Sequence, residues 1–293
     1  MTCLSCIDAR KRAAWRRAGV LTAVLAAAVV CDRARAADMS DDDILRGSFI
    51  SDASPGYVRW DGLQAGVHAG YSNMNADFGN SSSGQVAYIL RNTTIENEMH
   101  PSDWTTLPSD TTNSSQYGLF IGYNVQWDQL VLGFDLAYNR MASAEASASD
   151  SLGRQFSTSD GYQNQVTVSA QSSVKLIDYA TFRARAGYAF GQFLPYAMIG
   201  AAVGRFNYST TSTVHASGQP AAGGGGLPFD NTNTLTDGKN NAYAAGFVGG
   251  LGMDVAVLPN VFVRAEWEYV AFSPVNGIRA NLNTGRVGAG VRF

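Results

Sequence analysis

Glu266 and Glu268 stand two residues apart, and paired carboxylates are the arrangement in this sequence that could suggest acid–base chemistry. Arg264 keeps the same two-residue phase, and Arg183 and Arg185 repeat it elsewhere. Charges of both signs on inward strand faces are normally paired for structure, so these residues read as an ion-pair network and catalysis is not expected. The histidines His68, His100 and His215 lack ligand spacing, and no metal site is expected. Gly223 to Gly226 is neither fed by a strand nor followed by a helix, which makes it a loop tip rather than a phosphate cradle. Cys3, Cys6 and Cys31 all fall at the N-terminus, leaving thiol chemistry no place in the folded body. No cofactor follows from any of these groups.

The elements that must position the charges are strands. The chain has 293 residues, 45% hydrophobic and only 15% charged, with 31 glycines. Its longest strongly apolar run, Ala18 to Cys31, is too short for a membrane-spanning helix. Alternation with period two predicts strands at 60–73, 116–127, from 130 to about 140, 180–190, 193–207, 243–257, 261–272 and 282–293. In the second, Tyr117, Leu119, Ile121, Tyr123, Val125 and Trp127 share one face, and Gly118, Gly122 and Asn124 lie on the other. Asp135, Asp254, Arg264, Glu266, Glu268 and Arg286 occupy the polar phase of their strands, as do Arg183 and Arg185.

The connections alternate between long (74–115, about 141–177, 208–241) and short, with a medium one at 273–281. A soluble sandwich would need a second apolar face, yet the second face here is glycine, glutamine and charge. The expected fold is therefore all-β: an eight-stranded antiparallel up-and-down transmembrane β-barrel with short periplasmic turns and long external loops. Closure also removes the strand edges that hydrocarbon does not tolerate. Eight strands leave an interior just wide enough for side chains to fill. Four arginines facing four carboxylates across it can neutralise one another, with Asp135 beside Arg183 and Arg185, and Glu266 set against Arg185 across the axis. The lumen glycines Gly122, Gly133, Gly187, Gly250 and Gly252 leave room for water, and Gly122→Ser is expected to be tolerated. Aromatics on the outward phase fall into two membrane-interface girdles: Tyr71, Tyr117, Tyr138, Tyr243 and Tyr269 near the loop ends, Trp60, Trp127, Tyr188, Phe193 and Phe293 near the turn ends.

Arg10 to Arg17 form a basic region, Ala18 to Val30 an apolar one, and Ala34-Arg35-Ala36 a cleavage site. Residues 1–36 thus read as a cleaved secretory signal, 37–58 as a short acidic periplasmic leader, and 59–293 as the barrel. A lipid anchor at Cys31 is the weaker reading, because Val30 stands where a small residue belongs. Cleavage leaves 14 Lys/Arg against 22 Asp/Glu, a net charge of -8, which argues against nucleic acid as a partner.

Four segments carry a resemblance: Arg59-Trp60-Asp61-Gly62, Phe120-Ile121-Gly122-Tyr123-Asn124, Thr181 to Tyr188 (TFRARAGY) and Val263 to Tyr269 (VRAEWEY). With them the chain resembles the small outer-membrane β-barrels related to the OmpA transmembrane domain, and more closely the porin-like surface-antigen proteins of alphaproteobacteria. The C-terminal Arg286, Gly288, Val291 and Phe293 look like the signal that the barrel-assembly machinery reads in this family. The resemblance implies the outer membrane of a Gram-negative bacterium, with lipid, lipopolysaccharide and that machinery as partners. It also implies a structural and surface-interaction role without catalysis. The alternatives are a porin-like channel for small polar solutes and loop-mediated binding of a haem-type ligand or a host. In the first long loop Val86 to Leu90, followed by Trp104 and Leu107, is apolar; it either packs locally or forms a lid or partner patch.

Overall fold

The computed structural model describes residues 58–222 and 226–293. The expected secretory signal, most of the expected leader, the three cysteines and Gly223 to Gly225 lie outside the described residues. Eight strands follow one another: β1 Gly62–Asp77, β2 Asp110–Trp127, β3 Leu130–Ser157, β4 Tyr162–Tyr188, β5 Phe193–Pro220, β6 Phe229–Leu258, β7 Val261–Phe272 and β8 Arg279–Arg292. Each pairs antiparallel with the next, and β8 pairs with β1 to close the ring. Among the described residues no helix is long and apolar enough to cross a membrane.

The period-two alternation sets the faces. On β2, Tyr117, Leu119, Ile121, Tyr123 and Trp127 point out and are exposed, while Phe120 and Asn124 point in and are buried. Trp60 departs from the expected outward position. It has the parity of the inward Gln64 and His68, precedes β1, and turns into the barrel, 1% exposed, edge-on to Phe262 at 6.4 Å.

The stretches expected as loops at about 141–177 and 208–241 are largely strand. β3 to β6 are 27 to 30 residues long, against 12 for β7 and 14 for β8, and rise past the ring as a four-stranded sheet. Two causes hid them. Register shifts between Arg140 and Ala144 on β3, and between Leu176 and Asp178 on β4, change which parity faces inward. Beyond the shifts β3 sets Ala against Ser or Glu, and β6 from 230 to 241 is mostly Asn, Thr and Asp, so these stretches carry little hydropathy contrast. The β3–β4 turn is held by the Thr158 hydroxyl, which donates to the Asp160 carboxylate and keeps that carboxyl below its usual range.

The first loop holds α1 Ser83–Ile89, α2 Thr94–Met99 and a 3-10 turn at Pro101–Asp103. Thr93 caps α2, its side chain accepting from the Glu96 N–H at 3.2 Å. Val86, Leu90 and Ile95 bury against Val166 and Val168 of β4 and Val214 and Ala216 of β5. The apolar loop segment thus covers the inward face of the raised sheet. The 273–281 connection turns at Asn276-Gly277, both at positive φ (49° and 77°), between the bridged pair Val275 and Ile278. A Cβ on Gly277 would stand 2.5 Å from the Asn80 carbonyl oxygen, so shape as well as φ requires glycine there.

Candidate functional site

Inside the ring, apolar and charged side chains form layers. At the turn end Trp60, Phe120, Val131, Leu194 and Phe262 pack together. Toward the loop end Met74, Leu107, Leu176, Phe206, Val248, Phe272 and Leu282 form a larger cluster. Asp135, Arg183, Arg185, Asp254, Arg264, Glu266, Glu268 and Arg286 also point inward, all with side chains no more than 2% exposed.

Three ion pairs are register neighbours on adjacent strands: Asp135 and Arg183, Asp254 and Arg264, Glu266 and Arg286. Arg286 also meets Glu268 of the adjacent β7, Arg264 lies 3.8 Å from Glu266 on its own strand, and the remaining pairs cross the lumen. Arg183 pairs with Asp135, and its Nη1 lies 2.8 Å from Glu268 Oε2 and 3.3 Å from Glu266 Oε2. Arg264 forks onto Asp254, Nε to Oδ1 at 2.8 Å and Nη2 to Oδ2 at 2.9 Å, while its Nη1 donates to Asp135 Oδ2 at 2.8 Å. Its guanidinium also lies over the Phe120 ring at 4.0 Å. Arg286 reaches Glu266 at 2.6 Å and Glu268 at 2.9 Å. Arg185 donates to Asp254 at 3.2 Å and to Asn124 Oδ1 at 3.0 Å. Its carboxylate partner is therefore Asp254, not the expected Glu266, because β6 brings Asp254 to the level that Arg185 reaches across the barrel.

Glycines give these long side chains their space. Gly133 and Gly200 are the register neighbours of Arg185 and Arg183, Gly122 that of Asp135, and Gly250, Gly252 and Gly288 those of Glu268, Glu266 and Arg264. The expected room for water at the lumen glycines is taken up by protein. A Cβ on Gly133 would meet Asn124 Oδ1 at 2.2 Å, one on Gly252 the Tyr196 ring at 2.4 Å, and one on Gly122 the Phe134 carbonyl oxygen at 2.6 Å. Cβ atoms on Gly187 and Gly250 would likewise meet the Pro195 and Trp267 carbonyl oxygens.

Sequence reasoning missed the neutral members of the network. The Tyr196 hydroxyl lies 2.6 Å from Glu266 Oε1 and 3.2 Å from Asp254 Oδ1. The Tyr179 hydroxyl lies 3.0 Å from Gln116 Oε1 and 3.3 Å from Glu268 Oε1. Parity was the available signal for Tyr196, since every even position from 194 to 198 faces in. Tyr179 carries the parity of Arg183 and Arg185 as well, but stands one residue before the expected strand start at 180. His68 bonds Asn139 at 2.6 Å; His100 and His215 lie apart from the layer, in the first loop and on the raised sheet. Among the described residues no group of three or more His, Cys, Asp and Glu is placed to hold a metal ion. With every carboxylate of the layer shared with arginine, what the arrangement does is tie β3, β4, β6, β7 and β8 together across the axis.

Outside, Tyr71, Tyr117, Trp127, Tyr138, Tyr188, Phe193, Tyr243 and Phe293 are exposed, and Tyr269 is half-exposed on the same phase. Of the C-terminal residues, Arg286 and Gly288 face inward and Val291 and Phe293 outward. At the level of the register shifts Asp178 accepts from the Tyr138 hydroxyl at 3.0 Å, Arg140 Nη1 at 2.9 Å and Arg205 Nε at 3.0 Å. Below this clamp the outward phase is apolar; above it, polar.

A closed ring of eight antiparallel strands, apolar outside and ion-paired inside, defines an integral β-barrel of the Gram-negative outer membrane. The model of the outer membrane protein beta-barrel domain matches residues 53–293, and the chain belongs to that family. Among solved structures it is similar to Ail, the attachment invasion locus protein of Yersinia pestis: 12% identity, 80% of this chain and 99% of that one, TM-score 0.30. It is similar also to Neisserial surface protein A (16%, 78% and 97%, TM-score 0.30). A third is the outer membrane protein OprG from Pseudomonas aeruginosa (11%, 80% and 96%, TM-score 0.34). No curated protein matches the sequence.

Proposed function

We propose that this chain is a non-catalytic structural and surface-interaction protein whose lumen is closed to solutes and whose raised sheet stands outside the cell. The observation that carries the reading is the charge-balanced layer of four arginines and four carboxylates, buried inside a barrel that apolar side chains also fill. A solute path would have to break ion pairs whose side chains are no more than 2% exposed, at several kcal/mol each. In the same reading the outward aromatics mark the two membrane surfaces, residues 1–36 direct export, and Arg286, Gly288, Val291 and Phe293 address the barrel-assembly machinery.

Planar-bilayer recording on the purified full chain tests the closed lumen. No stable open conductance is expected, with or without deletion of residues 80–110, because the obstruction sits within the ring. A stable conductance of porin size from the wild-type chain would overturn this and put the channel reading first.

A further inference from the structure

The outward face of the raised sheet carries no apolar side chain. Rows run across its four strands in register: Ser151, Ser169, Thr213 and Thr234 form one, and Thr211 and Thr236 belong to the next. Hydroxyl pairs link them, Ser151 to Ser169 at 2.7 Å, Thr213 to Thr234 at 2.9 Å and Thr211 to Thr236 at 3.0 Å. Strands about 4.8 Å apart with a same-face repeat of about 6.6 Å make this a regular lattice of hydroxyl and amide groups.

Charge on the face is nearly cancelled. Lys175 pairs with Glu145 at 3.2 Å and His215 with Asp230 at 2.8 Å, so no block of one sign is left to select a phosphate or sulfate. The opposite face is already covered: its apolar side chains pack against Val86, Leu90 and Ile95, and Ser212 donates to Gln85 Oε1 at 2.7 Å.

What lies against the lattice follows from continuity with the membrane-facing surface. On β5 the outward phase keeps one parity throughout, passing from Ile199, Ala201 and Val203 to Ser209, Thr211 and Thr213. The strand surface that faces acyl chains therefore continues sideways into the layer directly above them. From 207 to 219 it covers about 40 Å of strand, or about 30 Å of height at the usual barrel tilt. In the outer leaflet that layer is the saccharide of the membrane's own glycolipid. We infer that the outward face of the β3–β6 sheet docks the neutral, polyhydroxylated part of that saccharide, resting on the membrane placement proposed above. Single hydroxyl contacts are weak, about 1 kcal/mol each. A sugar anchored in the same membrane arrives at millimolar effective concentration, so weak contacts in register suffice.

The test uses the full chain reconstituted into bilayers containing either glycolipid with its complete saccharide core or glycolipid cut back to lipid A, with retained glycolipid counted by native mass spectrometry. Wild type is expected to retain the complete-core form about tenfold better. Combining Thr211→Val, Thr213→Val, Thr234→Val and Thr236→Val, which keep shape and strand propensity, should abolish that preference and leave lipid A retention unchanged. Equal retention of the two forms by wild type, or an undiminished preference in the variant, would overturn the inference. So would loss of the preference when the core is dephosphorylated, since that would make phosphate the recognised group. Should the fourfold variant not fold, the wild-type comparison decides alone. The conductance of the same preparation reads the closed lumen separately.

Discussion

Replacing Arg264 by methionine keeps most of the side-chain volume and removes one positive charge from the interior layer. Arg264 makes three close charge-assisted bonds, two to Asp254 at 2.8 and 2.9 Å and one to Asp135 at 2.8 Å. At about 1.5–3 kcal/mol each, these set a gross ceiling of roughly 5–9 kcal/mol. Neither carboxylate would be orphaned, because Asp254 keeps Arg185 at 3.2 Å and Asp135 keeps Arg183. The expected cost falls to about 3–5 kcal/mol, that of breaking a buried pair. Adding Asp135→Asn, which leaves Arg183 its pair with Glu268 at 2.8 Å and Asp254 its pair with Arg185, restores three charges of each sign and should recover about 1–3 kcal/mol, since contacting residues couple by that much. Equilibrium urea unfolding of the chain refolded into phospholipid vesicles, followed by tryptophan fluorescence, measures both values. A single-variant cost below 1 kcal/mol, or a double variant no more stable than Arg264→Met, would refute the argument, because it would mean that water already screens the layer.

Ile121→Arg, on the exposed outward face of β2, should cost about 2–4 kcal/mol in the same assay. Its inward neighbour Gly122→Ser should cost about 1–3 kcal/mol by overpacking, because its Cβ would lie 2.6 Å from a carbonyl oxygen and 2.9 Å from Gln64 Nε2; full tolerance of the serine would show that the interior gives way there. Deleting Phe293, whose N–H donates to the Leu63 carbonyl at 2.9 Å, is expected to leave detergent refolding nearly normal while precursor accumulates in the periplasm, and unchanged surface levels in cells would contradict that. Val86→Ala, at a fully buried position under the raised sheet, should cost about 1–3 kcal/mol locally; limited proteolysis should then cut residues 78–109 faster while the ring stays intact.

How much was legible depends on how local each feature is. Period-two alternation over 116–140 and 243–272 needs only consecutive residues, so strand existence, facing and the eight inward charges could be read before any fold was known. The same alternation gave Trp60 an inward parity; the outward reading went against it because an aromatic beside a strand start looks like an interface residue. At 140–144 and 176–178 irregularities in the ladder change the phase, and a period carried across them assigns the later side chains of β3 and β4 to the wrong face; β5 keeps its parity, and its extension and that of β6 read as loops because they are rich in Ser, Thr and Asn.

Asp135 beside Arg183 was readable from strand order, but partner choice across the axis was beyond the sequence. Asp135 and Arg183, Asp254 and Arg264, and Glu266 and Arg286 are register neighbours that strand order and alignment could bring together. Arg185 with Asp254, Arg264 with Asp135 and Arg183 with Glu268 span strands that are not adjacent. Their levels meet only once the sheet closes with a particular stagger, and stagger belongs to the ring as a whole. The sequence by itself determined that these eight charged residues share the inward phase and that their charges balance. Which arginine meets which carboxylate, and whether a lumen glycine leaves room for water or for a neighbour's side chain, was decided only by the tertiary structure, because closure sets the distances across the axis.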